Sequence, residues 1–256
     1  MKGRRLTAAA GAVLALAGCV DLSTDPNEIV AIEFAPLPYP AVVLGDSLRD
    51  SQGVVTRLSG QLFDGSGGIV TKSPLAFFSL DTIVEVSTLG VTVARQTTGT
   101  ARLLASGGGL QSVTRVLETV LRPDTFTVEA SPDTLRLLVP DDASANLSGE
   151  FRLKVKSSSG AGGGVRSWVV DFRLRYKSVD VAPSDTSLLY LVDESGRRSV
   201  VDTSDANGVV SRKVRFKVIP GQVPVLDSII VTAETKYKGA LVPGAPARMV
   251  VRVKPK

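Results

Sequence analysis

From residue 28 onward apolar and polar residues alternate with the period of a strand, and nowhere do they settle into the three-to-four spacing of an amphipathic helix. The first run, Ile29-Val30-Ala31-Ile32-Glu33-Phe34, is followed by Pro36, Pro38 and Pro40, which have no amide hydrogen for a ladder and so end it. Residues 53–63 and 69–79 read as two strands closed into a hairpin by Asp64-Gly65-Ser66-Gly67-Gly68. Further strands are expected at 42–44, 83–87, 91–95, 99–106 and 110–121, parted by turns such as Leu89-Gly90 and Gly107-Gly108-Gly109. Short strands at this spacing make a sandwich.

Arg122-Pro123-Asp124 interrupts the alternation, which then resumes at 126–130, 135–139, 147–157, 165–176, 188–193, 212–219, 228–237 and 248–253. The chain therefore reads as all-β, with one sandwich over residues 28–122 and another over 123–256. Phe78 and the sole tryptophan, Trp168, are the expected core anchors, because large rings bury the most area per residue.

The first residues follow another rule. Lys2, Arg4 and Arg5 precede an apolar run over residues 6–17, too short for the roughly 20 residues a membrane helix needs, so residues 1–18 read as a cleaved signal peptide. Leu16, Ala17, Gly18 and Cys19 resemble the lipobox of bacterial lipoproteins. In that family the cysteine thiol is alkylated by a diacylglyceryl group, the peptide is cut before it and the new amine is acylated. The resemblance implies a lipid-anchored Cys19 followed by a tether, residues 19–27. Three acyl chains hold stably where one holds marginally. A single cysteine also makes no internal disulfide. Val20 gives no aspartate-type retention cue of the enteric kind, so the expected address is the outer membrane, with its periplasmic or surface face left open.

Two more resemblances fall within the strands. Phe78-Ser79-Leu80-Asp81, Val84, Val86-Ser87, Gly90-Val91, Val93-Ala94, Gly99-Thr100-Ala101 and Ala105 are similar to the cadence of bacterial Ig-like group 2 repeats, over about residues 28–121, with Phe78 where tryptophan is common. Glu194-Ser195-Gly196 followed by Thr203-Ser204-Asp205-Ala206-Asn207-Gly208 resembles the group 1 repeats of invasin-type proteins, over roughly 193–253. Together they imply two unequal immunoglobulin-like sandwiches and a role in adhesion, surface scaffolding or spacing.

Composition narrows the chemistry. The formal charge of +5 includes Lys2, Arg4 and Arg5, and without them 27 basic residues face 25 acidic ones, or +2. The basic residues are scattered along the strands rather than clustered with aromatics, so no nucleic-acid footprint is expected. Histidine is absent from the whole sequence, which removes the usual general base and the commonest metal ligand. Gly45-Asp46-Ser47-Leu48 spells the signature of GDSL-type esterases, but that family's serine needs a histidine, so a turn before a strand is the expected role. Asp202, Asp205 and Asn207 have oxygens at spacings reminiscent of a calcium loop; the same residues cap tight turns, the reading preferred here. The glycine clusters precede strands, not helices, so no helix N-terminus awaits a phosphate.

No catalytic residue and no cofactor are expected. The partners expected are the membrane, through the anchor, and a glycan or protein at the sandwich loops. The alternative is an accessory subunit of an envelope complex that binds through strand edges. A hydrolase working with carboxylates alone is disfavoured, since no two acidic residues stand out as a pair.

Overall fold

A computed structural model describes residues 28–95, 97–159, 163–221 and 226–256, so the lipobox and tether lie outside the described residues. Among them every regular element is a strand, as the alternation requires. The chain is all-β.

In the N-terminal part, β1 (Ile29–Phe34), β2 (Ala41–Val43), β3 (Gly60–Asp64), β4 (Ala76–Ser79), β5 (Val84–Val86), β6 (Thr92–Ala94), β7 (Gly99–Gly107), β8 (Leu110–Gln111) and β9 (Arg115–Val120) follow in order. One sheet runs β2-β9-β7-β4, with β8 on β7, and the ribbons β1-β3 and β5-β6 lie beside it. Phe34 of β1 meets Phe77 of β4 at 5.4 Å between ring centroids, which ties ribbon to sheet. Leu62, Leu103, Leu117 and Ala105 are buried with them.

The C-terminal part contains β10 (Thr125–Ala130), β11 (Thr134–Leu137), β12 (Phe151–Lys156), β13 (Val169–Tyr176), β14 (Val179–Val181), β15 (Leu189–Val192) and β16 (Val201–Thr203). There follow β17 (Val209–Phe216), β18 (Ser228–Glu234), β19 (Lys236–Tyr237), β20 (Ala240–Leu241) and β21 (Ala247–Pro255). A sheet β10-β12-β17-β15 faces a sheet β11-β21-β18-β13-β14, with β16 also on β13. Strict alternation of buried and exposed residues along β13 and β21 turns one face of the second sheet inward. Edge-on ring pairs cross between the layers, Phe151 with Phe172 at 6.3 Å and Tyr176 with Phe216 at 5.9 Å. This is a β-sandwich.

The structure corrects several details. The strand expected at 53–63 is regular only from Gly60, and β3 takes β1 as its partner. The Asp64–Gly68 turn does close back, through the Phe63–Ile69 bridge and the Val70 amide on the Leu62 carbonyl, but the chain then leaves, and β4 pairs with β7 in another sheet. Residues 110–121 split into β8 and β9.

Phe78 is not a core anchor: it is 49% exposed, whereas Phe77 is 8% exposed. Neighbouring side chains on a strand point to opposite faces, so only one of the two phenylalanines can face Phe34. Trp168 is buried at 4% exposure, just before β13, and its ring neighbours are Tyr39 and Tyr237. Tyr39 belongs to the first half of the chain, so Trp168 packs at the meeting of the two halves as well as in its own.

Candidate functional site

Among the described residues, strand pairing stays within residues 28–122 or within 123–256, yet side chains join the two parts closely. Pro36, Pro38 and Pro40 deny the segment after β1 a ladder and carry Tyr39 out to Trp168, 5.0 Å away between ring centroids and edge-on. The Val169 amide donates to Tyr39 Oη at 2.8 Å. Burial raises the Tyr39 phenol well above its ordinary value, so it is neutral and available as an acceptor. Trp168 is held from behind by Ser204, whose Oγ accepts its amide and donates to the Val165 carbonyl.

Beside this stack lies a charged cluster made by the Gly45-Asp46-Ser47-Leu48 turn. Gly45, at φ +74°, reverses the chain, and Leu48 is fully buried. Asp46 accepts both Nε and a terminal nitrogen of Arg49 at 3.1 Å and the Ser47 amide at 2.9 Å. From the second half it receives Tyr237 Oη at 3.1 Å and Lys238 Nζ at 3.2 Å. Burial alone would raise the Asp46 carboxyl; Arg49, the Ser47 amide, Lys238 and Tyr237 outweigh it and hold the pKa at about 2. The same carboxylate raises Lys238, so the pair stays charged.

Backbone shape seals the contact. Gly53 has φ +85° and Gly239 +79°, and a Cβ on Gly53 would run into the Gly239 and Lys238 backbone. On the far side Arg166 pairs with Glu118 at 2.5 Å, and the Arg122 guanidinium lies 5.4 Å from the Tyr237 ring centre.

The strands fix which ends meet. In the first part Gly99 and Thr119 lie at the joint, while Ile29 with Asp64, and Gly107 with Leu110, lie at the opposite end. In the second part Val169 with Thr203, and Ala233 with Ala247, lie at the joint; Tyr176 with Ile229, and Leu137 with Pro255, lie away from it. The two parts are joined end to end.

The remaining residues singled out from the sequence do not converge. Asp202 pairs with the buried Arg212 at 2.7 Å and accepts the Ser211 amide. Asp205 accepts the Asn207 and Val209 amides, a turn completed by Gly208 at φ +78°. Among the described residues no three histidine, cysteine or acidic side chains are grouped to hold a metal ion. The carboxylate next to Ser47, Asp46, is engaged by two cations, Arg49 and Lys238. Sequence reasoning passed over Tyr39 and Tyr237 altogether. The spacing of prolines around Tyr39 was the available signal, because it frees that segment from its own sheet. A second feature, a groove of about 750 Å³, opens between β14 and β15.

No family model matches the chain, and no curated protein matches it. Among solved structures it is similar to the Yersinia pseudotuberculosis adhesin InvE, at 16% identity and a TM-score of 0.34, over 88% of this chain and 58% of that one. The Escherichia coli adhesin FdeC is similar at 15% identity and a TM-score of 0.30, over 91% of this chain and 66% of that one. Domains 4–9 of the surface layer protein SbsC are similar at 13% identity and a TM-score of 0.30, over 90% and 31%.

Proposed function

We propose that this is a non-enzymatic envelope protein, lipid-anchored at Cys19, whose two sandwich domains, 28–122 and 123–256, form a stiff rod for surface scaffolding or adhesion. The observation that carries the reading is the joint at Tyr39, Trp168, Tyr237 and Asp46. A spacer must resist bending where its modules meet, and the joint there is aromatic, ion-paired and closed by two facing glycines. β1 begins at the end away from the joint, so an anchored tether would hold the rod by its extremity. Residues 20–28 reach about 30 Å when extended, enough to clear a headgroup layer. Loops at the far end of the second domain would then stand farthest from the bilayer, where loops on a rigid scaffold bind.

The outer membrane is the proposed location. Fractionation with and without globomycin, together with a Cys19→Ser variant, tests the anchor. Wild-type protein is expected in the membrane fraction with an acylated N-terminal peptide, and the variant in the soluble fraction. An unmodified Cys19 in membrane-bound protein overturns the anchor. Protease shaving of intact cells tests the face: cleavage places the rod outside.

A further inference from the structure

Basic residues that lie scattered along the sequence are gathered by strand pairing. Residues 123–256 hold 20 basic and 15 acidic side chains and residues 28–122 hold 7 and 8, so the excess positive charge belongs to the second sandwich. Its larger sheet buries Ala247, Met249, Val251 and Val253 of β21, which sends Arg248, Val250, Arg252 and Lys254 to the outer face. β11 runs parallel to β21 and sets Arg136 beside Lys254 and Thr134 beside Arg252. On the other side β18 sets Ser228 beside Arg252, Ile230 beside Val250 and Thr232 beside Arg248.

Four exposed cations, Arg136, Arg248, Arg252 and Lys254, thus share one sheet face. Among the described residues none of the four makes an ion pair or a side-chain hydrogen bond. The acids of this face lie on its opposite flank and are matched there, Glu234 at 3.5 Å from Arg173 and Asp180 at 3.8 Å from Arg175. Asp133 and Asp227 precede Thr134 and Ser228, the neighbours of Arg252; Asp227 accepts the Ser228 amide at 2.6 Å, and neither acid is ion-paired.

Stability does not account for the four cations. Like charges set directly opposite each other, as Arg136 and Lys254 are, cost stability rather than add to it. Charge on an edge strand guards against pairing between sheets, which explains Arg136 on β11 and not the other three, because β21 is flanked on both sides.

The layout states what the face can take. From Arg248 to Lys254 the strand rises about 20 Å, which suits a chain of anions rather than a single ion. Guanidinium forks match carboxylates and other oxyanions. Ser228, Thr134 and Thr232 place hydroxyls beside the two arginines of β21, and Val250 with Ile230 gives the strip between them an apolar floor for the C–H face of a sugar ring. None of these positions carries an aromatic ring, so the stacking on which single-stranded nucleic acids depend is missing.

We infer that this face binds a linear acidic polysaccharide, laid along β21 with its anionic groups on Arg248, Arg252, Lys254 and Arg136. Lys254 and Arg136 stand next to the Leu137–Pro255 pair, at the end away from the joint. The inference deepens the adhesion and scaffolding reading by naming the partner's chemistry, but it is measured on purified protein, so loss of the anchor reading leaves it standing.

The test titrates the full chain, purified in detergent, into fluorescein-labelled oligogalacturonate and heparin fragments and follows fluorescence anisotropy. Binding of either probe is expected at low salt, weakening as salt is raised, and the two probes tell a carboxylate ligand from a sulfated one. Arg252→Gln combined with Lys254→Gln should weaken binding about tenfold or more, the scale of two charge-assisted contacts. Lys72→Gln combined with Lys217→Gln removes the same charge from exposed positions off this face and should leave binding unchanged. Both double variants should unfold at the wild-type urea midpoint, since all four side chains are exposed. No binding of either polysaccharide, equal losses in the two double variants, or duplex DNA bound as tightly as the polysaccharides would overturn the inference.

Discussion

Tyr39 and Val169, 130 residues apart, are joined by one partly buried hydrogen bond of 2.8 Å from amide to phenol, beside the Trp168 ring. Such a bond matters most when it is removed from one side only. Tyr39→Phe keeps the ring and orphans the amide, a loss of about 1–3 kcal/mol. Trp168 is the only tryptophan and lies at this contact, so its fluorescence reports the joint directly. The urea midpoint read by that fluorescence should fall in Tyr39→Phe and fall further in Tyr39→Ala. Equal midpoints in all three proteins would mean the contact contributes nothing.

Asp46 gives the joint its pH dependence. Its folded pKa of about 2 lies below the ordinary carboxylate value, so its contribution is present above about pH 4 and is lost as the pH falls through 2. The linkage amounts to about 2 kcal/mol. Asp46→Asn should therefore be less stable than wild type at pH 7, and the difference should close between about pH 4 and pH 2. Other carboxylates titrate in the same range, so the difference between the two proteins is the quantity to follow by urea unfolding. A gap that persists at pH 2 would assign Asp46 a role other than charge.

The two adjacent phenylalanines separate core from surface. Phe77→Ala should cost about 3–5 kcal/mol, as deletion of a buried ring does. Phe78→Ala, on the exposed face, should cost less than about 1 kcal/mol. Thermal unfolding of the two variants decides the assignment, and the reverse order would contradict it.

Asp202 is the counter-ion of Arg212. Asp202→Ala removes the carboxylate partner of an almost fully buried Arg212, a cost of about 2–4 kcal/mol set mainly by the charge left behind. EGTA or added calcium should leave the melting temperature unchanged. A rise with calcium that Asp202→Ala abolishes would restore the metal site.

The strand class was legible because period-two alternation is local: β13 and β21 could be read residue by residue. Strand partners were less so. The residues around the Asp64–Gly68 turn look like a hairpin, and whether β3 continues with its sequence neighbour or with β1 depends on which pairing buries Leu62, a long-range choice. Phe78 was misplaced for a related reason: in Phe77-Phe78 both residues are apolar, so alternation alone does not say which faces in. The joint was the least legible part. Tyr39 and Asp46 lie far along the chain from their partners Val169 and Tyr237, and the GDSL-like spelling drew attention to Ser47 when the working residue of that turn is Asp46.

The measurement that bears most directly on a rigid end-to-end rod is a pulsed electron-spin distance between labels at Ser66, on the turn remote from the joint, and Ser144, in the loop beyond β11. Both residues are exposed, and Cys19 is replaced by serine so that it takes no label. One narrow distance distribution is predicted, broadening when Trp168 or Asp46 is replaced by alanine. A broad distribution in the otherwise wild-type chain would mean that the two halves pivot freely.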